Sequence, residues 1–382
     1  MDPYWTSDDG RHTLYCGDAL EVLRTVDTAS VALLLIDPPY RNVKAEAWDR
    51  QWPTQQAYLT WLHALALEWQ RVLAPNGSLY CFASPQMAAY VEVMLGEVFT
   101  VLNRITWQKP LYSTKAEMST KEQFRRYFPA SETILFCEQA NADSLALGES
   151  GYAAQCEHLR GFVFEPIRAY LDGERKRAAV RKEAINEACG FARIPGAMAS
   201  RHYFSPSQWA LPTAPHYAAM QRLFAREGRH PAPPFADFHS AGSPFARFHA
   251  PPDDESLRAD YEFLRADYEF LRRPFTVSAD VPYTDVWTFP TVQSYPGKHP
   301  CEKPAALLRH IILASSRSGD LVLDCFAGSG STLLAASDCG RRSLGIEQEE
   351  RWVRHIRTRF AQPSLFTPPT QPVAVPEQGR LW

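Results

Sequence analysis

The chain has 382 residues, of which 45% are hydrophobic and 12% aromatic, and its formal net charge is -3. That is enough for one large α/β domain plus an inserted or appended module, and too apolar for a chain that is disordered throughout. The charge excludes a uniformly basic nucleic-acid binder, so any basic surface has to be local.

From Thr13 to Phe136, short apolar runs alternate with amphipathic stretches. Val31–Ile36 (VALLLI) reads as a buried strand, and Tyr58–Leu73 as a helix carrying Leu59, Leu62, Leu65, Leu67, Trp69 and Leu73. Pro75-Asn76-Gly77 reads as a turn, followed by a strand at Ser78–Phe82, a helix at Met87–Leu95, and strands at Val101–Trp107 and Thr133–Cys137. Strand–helix alternation of this kind predicts a mainly parallel sheet with helices on both faces. Residues from about 150 to 290 differ, being rich in Arg, Pro, His and aromatics. Gly173–Gln208 predicts a helix, a turn at Gly190 and a second short helix. Leu257–Leu271 holds a duplicated RADYEFL unit that puts Leu257, Leu264 and Leu271 on one helical face, while Pro231–Pro252 reads as loop. The α/β pattern resumes with a helix from Lys303-Pro304 to Ser315, a strand at Asp320–Cys325, a helix at Ser331–Asp338, a strand at Ser343–Ile346 and a helix at Glu350–Phe360. The organisation expected is a first half over 1–150, an inserted module over 151–285, a second half over 286–360 and a disordered tail over 361–382.

The 8 cysteines, Cys16, Cys81, Cys137, Cys156, Cys189, Cys301, Cys325 and Cys339, form no CxxC pair, and several lie in apolar runs. This points to reduced thiols in a cytosolic protein. The start, MDPYWTSDDG, has no apolar signal segment, and no apolar stretch is long enough to span a bilayer.

Three stretches carry chemistry. Asp37-Pro38-Pro39-Tyr40 follows directly on the strand VALLLI, at the carboxyl end where α/β folds place their sites. Asp37 and the Pro38 carbonyl can accept from an amine, and Tyr40 offers a flat face for a base. Alone, the stretch is equally a Pro-rich turn. Asp324-Cys325-Phe326-Ala327-Gly328-Ser329-Gly330-Ser331-Thr332 leads from a strand into a helix, with glycines that admit close approach of a ligand. The spacing is neither G-x-G-x-x-G nor a P-loop. Glu347, at the end of the next strand, stands close to the ~20-residue spacing of an acid that binds ribose hydroxyls. Together they favour an adenosine-containing cofactor. His299-Pro300-Cys301-Glu302-Lys303-Pro304 precedes that strand as a turn into a helix, and its spacing matches no zinc pattern, so no metal is expected.

Taken together, the three stretches resemble the permuted, beta-class DNA amino-methyltransferases, whose motifs are DPPY, HPxxKP and D-x-F-x-G-x-G. The order also matches, with the catalytic half first, then target recognition, then the cofactor half. Tyr15-Cys16-Gly17-Asp18, Trp48-Asp49, Leu73–Ser78 and Glu132–Phe136 agree as well, so the resemblance covers roughly 10–140 and 285–360. It implies a Rossmann-like S-adenosylmethionine-dependent fold with a seven-stranded, mostly parallel sheet and an inserted target-recognition domain. It implies that Asp37, Pro38, Pro39 and Tyr40 grip a flipped base. For the cofactor, S-adenosyl-L-methionine, it implies Asp18 near the adenine, Lys303 beside the pocket, and Asp324, Phe326, Gly328, Gly330, Ser331 and Thr332 at the methionine end, with Glu347 on the ribose. Cys325 stands where the family often has Pro. The DPPY form usually goes with N6 of adenine; N4 of cytosine is the alternative.

Double-stranded DNA is the partner this implies, together with a cytoplasmic location in a bacterial or phage-infected cell. Arg175, Lys176, Arg177, Arg181 and Lys182 form a basic run before a segment containing Arg193 and Arg201, and Lys121, Arg125 and Arg126 lie in an earlier loop. These are candidates for phosphate contact, against the plainer reading of a solvated helix face. A cognate restriction endonuclease and a homodimer through the heptad-spaced leucines are further expected partners. The rival readings are a methyltransferase of RNA or of a protein glutamine, which typically has Asn leading the x-Pro-Pro-Tyr loop and its cofactor motif first, and a non-catalytic DNA-binding module.

Overall fold

The run Val31–Ile36 is apolar at every position because both of its faces are covered: Leu33 and Leu35 belong to one core cluster, Leu34 and Ile36 to another. The computed structural model describes residues 2–41, 43, 46–110, 125, 127, 129–139, 165–191, 199–205, 209–228, 253–271, 273–276 and 284–361. The chain divides into two compact units, one of Met1–Gln139 with Pro274–Trp382 and one of Ala140–Arg273.

The first unit is built on a nine-stranded sheet, β1 (Trp5–Thr6), β2 (His12–Cys16), β3 (Val31–Ile36), β4 (Leu73–Ala83), β5 (Phe99–Gln108), β6 (Ser131–Gln139), β7 (Val286–Thr288), β8 (Leu321–Asp324) and β9 (Arg342–Glu347). Their order across the sheet is β1-β2-β9-β8-β3-β4-β6-β5-β7. The expectation of seven strands is therefore corrected to nine. The two additions, β1 and β7, cap opposite edges with two and three residues, too few for an alternation to be read. Pairing is parallel through β2, β9, β8, β3 and β4 and between β5 and β7, and antiparallel for β1 with β2, β4 with β6 and β6 with β5.

One sheet face is covered by α1 (Ala19–Leu23), α2 (Gln55–Val72) and α3 (Ala88–Gly96). Thr54 caps α2 by accepting from the Ala57 amide, and Leu62, Leu65, Ala66 and Trp69 form its buried stripe. The other face is covered by α9 (Ala305–Ser315) and α10 (Ser331–Asp338), with Leu308, Ile311 and Ala336 buried. The final helix of the unit, α11 (Glu350–Ala361), buries Val353 and Ile356 against Leu14, Ala327 and Leu333. Pro75-Asn76-Gly77 is not a break between elements. It lies within β4, where the pairing jumps from Val31↔Leu73 to Leu33↔Ser78, so the turn residues are taken up as an irregularity of the strand.

The second unit is helical: α4 (Glu165–Arg177), α5 (Lys182–Ala188), α6 (Ala199–Tyr203), α7 (Ala214–Glu227) and α8 (Asp254–Leu271). Gly173 lies inside α4 instead of opening a helix, and α7, with its Thr213 cap and Pro in the first turn, was not expected. Leu257 and Leu264 are 3% and 0% exposed, and Leu264 packs with Tyr170, Tyr217 and Phe224 of this unit's own core. The heptad leucines described are thus used within one chain, which removes the reason for expecting a dimer through them. Pro231–Pro252, Cys156 and the tail after 361 lie outside the described residues. The other seven cysteines are free thiols, and no described helix is long and apolar enough to cross a membrane.

Candidate active site

Parallel pairing puts the carboxyl ends of β2, β9, β8 and β3 along one edge of the sheet in that order. Just past β2 stands Asp18; β9 ends in Glu347 and β8 in Asp324; Asp37 follows β3. Antiparallel pairing brings the start of β6 and the end of β5 to the same edge, which adds Glu132 and Lys109.

One cavity connects the ends of β2, β9, β8 and β3. It is lined by Asp18, Asp37, Pro38, Pro39, Tyr40, Lys303, Asp324, Phe326, Gly328, Ser331, Thr332 and Glu347, and by Trp48, Asp49, Trp61, His299, Glu302, Glu349 and Trp352. Every residue expected at the catalytic loop and the cofactor site reaches this cavity except Gly330, which stands behind its wall. Gly330 caps α10 at φ 78°, and a Cβ there would lie 2.8 Å from Ile356 Cγ1. It is a glycine because helix α11 leaves no room. At Gly328 (φ 51°), a Cβ would come within 3.0 Å of the His299 ring. That ring packs edge-on against Trp352 and accepts from the Cys301 amide at 3.2 Å. Cys325 is also in the cavity wall, and its Sγ accepts from the buried Trp69 indole at 3.3 Å.

The loop after β8 is held in shape by its acids. Asp324 Oδ1 accepts from the Phe326 amide at 3.0 Å, and Glu347 takes the Gly328 and Glu349 amides at 2.8 Å on its two oxygens. Asp18 accepts from the Leu20 and Glu21 amides, so it caps α1 as well as standing at the cavity rim. Burial pushes the Asp324 carboxyl up to about 7, against the pull of Thr332 and of the Phe326 amide. Burial also raises Glu347, which the backbone amides partly offset.

At the other end of the cavity the catalytic loop is tied down. Tyr40 donates to Asp37 Oδ1 at 2.8 Å, with Glu132 Oε2 at 3.0 Å as its second acceptor. Lys303 Nζ stands 2.5 Å from Asp37 Oδ2, 3.3 Å from the Tyr40 hydroxyl and 3.6 Å from Glu132 Oε2. Lys303, expected beside the pocket, lines the cavity with its ammonium against the Asp37–Tyr40 loop. Burial raises the Asp37 carboxyl and Lys303 opposes the rise; burial would lower Lys303, but Asp37 and Glu132 push it up. The residue following this loop, Arg41, has φ 58°, a strained value for a residue with a Cβ.

Glu132 and Lys109 were not singled out for a role by sequence, although the signal was present: Glu132 is a charge at the mouth of the apolar strand TILFC. Asp49, fully buried in the cavity wall with Oδ2 accepting from the Val43 amide, was also passed over.

The basic candidates of the second unit are largely paired within their own helix. Arg175 and Lys176 bridge Asp172 at 2.8 and 2.7 Å, and Arg177 bridges Glu174 at 2.7 Å. Arg181 precedes α5 as an exposed cap residue, and Lys182 is exposed in its first turn. In the first unit Arg125 is exposed. Lys121, Arg126 and Arg193 lie outside the described residues, as does the side chain of Arg201.

The DNA methylase family matches residues 31–358. The DNA adenine methyltransferase YhdJ of Escherichia coli (strain K12) is 24% identical over 350 residues, spanning 90% of this chain and 80% of that protein. The type II methyltransferase M2.DpnII of Streptococcus pneumoniae is 46% identical over 79 residues, 20% of this chain and 30% of its own length. A solved structure, the cytosine-N4-specific PvuII DNA methyltransferase, overlaps 95% of this chain and 90% of its own at 15% identity, with a TM-score of 0.48.

Proposed function

The chain belongs to the DNA methylase family, and on that premise we propose that it transfers a methyl group from S-adenosyl-L-methionine to N6 of adenine in double-stranded DNA. The observation that carries this is the single cavity shared by Asp37–Tyr40 and by Asp324, Phe326, Gly328 and Glu347. Its lining suits a cationic, adenosine-bearing cofactor. Carboxylates from Asp18, Asp37, Asp49, Glu302, Asp324, Glu347 and Glu349 face the Lys303 ammonium as the one Lys or Arg among the lining residues. Phe326 and Trp61, with ring centroids 5.7 Å apart, and Trp352 supply flat apolar surface.

S-adenosyl-L-methionine supplies an electrophilic methyl group on sulfur. Asp324, with Ser331 and Thr332 beside it, holds the amino-acid end; Glu347 keeps a lone pair on each oxygen for the ribose; Asp18 borders the adenine. Gly328 carries no side chain there, where a Cβ would meet the His299 ring at 3.0 Å. An exocyclic base amine is a poor nucleophile, its lone pair being delocalised into the ring. Asp37 and the Pro38 carbonyl accept its hydrogens and favour a pyramidal nitrogen. The proton shed by nitrogen on methylation would pass to Asp37, whose raised pKa suits an acceptor. Tyr40 holds Asp37 through its hydroxyl and offers its ring to the extruded base. Orientation and exclusion of water account for the acceleration.

Adenine is favoured by Asp at the head of the loop and by the similarity to the E. coli DNA adenine methyltransferase. The helical unit is assigned target recognition, with exposed Lys176 and Lys182 on phosphate. The type II name of the Streptococcus relative supports a role beside a cognate restriction endonuclease. The test is label transfer from S-adenosyl-L-methionine to unmethylated duplex DNA, with cofactor affinity measured separately. Label in DNA that Asp37→Ala abolishes without loss of cofactor binding is expected; cofactor binding with no label in DNA from the native chain would refute the reading.

A further inference from the structure

Both oxygens of Asp37, the acceptor on which the proposed reaction depends, are already engaged, Oδ1 by the Tyr40 hydroxyl and Oδ2 by Lys303. Each oxygen keeps a second lone pair, but a base amine gains an Asp37 oxygen to itself only if one of them yields. Tyr40 can turn its proton to Glu132 Oε2, 3.0 Å away, but its oxygen stays 2.8 Å from Oδ1, so this gives it no way to withdraw. Lys303 does have one, since Glu132 Oε2 lies 3.6 Å from its ammonium. Glu132 itself is fixed, because Lys109 grips its other oxygen at 2.5 Å. The four side chains are 8 to 18% exposed, and their charges, two carboxylates and two ammoniums, cancel.

We infer that Lys303 and Glu132 are positioning residues for methyl transfer: Lys303 covers Asp37 until the target base enters, then moves to Glu132 as the amine takes its place on Oδ2. The inference rests on the proposed function. It explains why the family-like lysine of the His299–Pro304 stretch points at the catalytic loop, and why an acid stands just ahead of the apolar run of β6. Lys303 in either position keeps a positive charge beside a buried carboxylate that must stay ionised to accept a hydrogen bond. The ammonium also lies 4.9 Å from the Phe82 ring centroid and 5.3 Å from that of Tyr40, within cation–π reach of both. The remaining titratable groups near Asp37 are Tyr58 and Cys81, held neutral by burial, Cys301 beside Lys303 and Tyr40, and the acid Asp324.

The two residues act on Asp37 in opposite senses, Lys303 lowering its pKa and Glu132 raising it. The experiment is therefore a pH–rate profile of single-turnover transfer for the native chain, Lys303→Met and Glu132→Gln, paired with infrared titration of the Asp37 carboxyl. Lys303→Met moves the acidic limb to higher pH by about one to three units, the usual effect of a neighbouring opposite charge. It also shows a protonated-carboxyl band near neutral pH that is absent from the native chain and from the double variant with Asp37→Asn. Glu132→Gln moves the limb the other way, yet lowers the plateau rate because Lys303 has lost its second site. Lys303→Arg, which keeps the charge, leaves the limb in place. Limbs that stay put, or move together, would overturn the inference, as would Lys303→Met without the carboxyl band. The infrared arm decides the matter even if the native chain methylates nothing, an outcome that would sink the proposed function instead.

Discussion

Lys303 Nζ lies 2.5 Å from Asp37 Oδ2, although 266 positions separate them in the chain. The contact joins the loop after β3 to the stretch before α9, so the reactive carboxylate is set by residues from both ends of one unit. Its other oxygen is set by Tyr40, and the first prediction concerns that bond. Tyr40→Phe keeps the ring but removes the hydroxyl shared by Asp37 and Glu132. Hydrogen bonds to charged groups contribute about 1.5–3 kcal/mol, so turnover should fall about 10- to 100-fold with little change in DNA affinity. Tyr40→Ala, which also removes the stacking face, should fall further and lose base extrusion, read as 2-aminopurine fluorescence at the target position. Equal effects of the two variants would mean that the hydroxyl carries the whole role.

Asp324 should trade stability for binding. Its folded-state carboxyl is raised to about 7 from an ordinary value of 3.8, so the folded chain binds this proton more tightly than the unfolded chain. The group's favourable contribution is complete at acidic pH and is lost as pH rises through that window. Asp324→Asn removes the buried charge. Without cofactor, the variant should melt above the native chain near pH 8, with the difference shrinking near pH 5. Added S-adenosyl-L-methionine should raise the Tm of the native chain and not that of the variant. A variant less stable at both pH values would show that the bond to the Phe326 amide outweighs the cost of burying the charge.

Two glycines with similar backbones should respond differently to alanine. Gly330 has φ 78° and would place a Cβ 2.8 Å from Ile356 Cγ1; Gly10 has φ 68° with nothing within 4 Å. Gly330→Ala should cost on the order of 3 kcal/mol from strain and overpacking together, Gly10→Ala about 1 kcal/mol from strain alone. Denaturant unfolding of both variants separates the two contributions.

In the helical unit, exposure sorts the basic residues. Lys176 is 68% exposed, whereas Arg175 and Arg177, at 20% and 32%, are drawn onto Asp172 and Glu174. Lys176→Gln and Lys182→Gln should each reduce the slope of log K against log salt for duplex DNA by about 0.9, the signature of one lost phosphate contact. Arg175→Gln and Arg177→Gln should leave the slope alone and lower helix stability by about 0.2–0.5 kcal/mol each. Slopes unchanged in all four variants would remove this helix from the DNA surface.

What could be read in advance followed from residue chemistry that acts locally. VALLLI, the Ser331 helix start and the acids ending each strand are set by burial on two faces and by backbone geometry, and all stand at the sheet edge where sequence placed them. The edge strands β1 and β7 were too short to leave a period. Helix α7 was obscured by its histidine and proline, although Thr213 caps it in the ordinary way. The heptad leucines looked like an interface because spacing cannot tell a partner chain from the unit's own core. Glu132 showed as a charge ahead of TILFC, but its meeting with Lys109 could not be read, because it arises from antiparallel pairing of β6 with β5, and the Lys303 contact with Asp37 spans 266 positions.

The central claim, methylation of adenine N6, is tested most directly by nucleoside analysis. Duplex DNA incubated with the native chain and labelled S-adenosyl-L-methionine is digested and its nucleosides are separated. The account predicts label in N6-methyladenine alone, abolished by Asp37→Ala. Label in N4-methylcytosine, or in N6-methyladenine undiminished by that substitution, would contradict it.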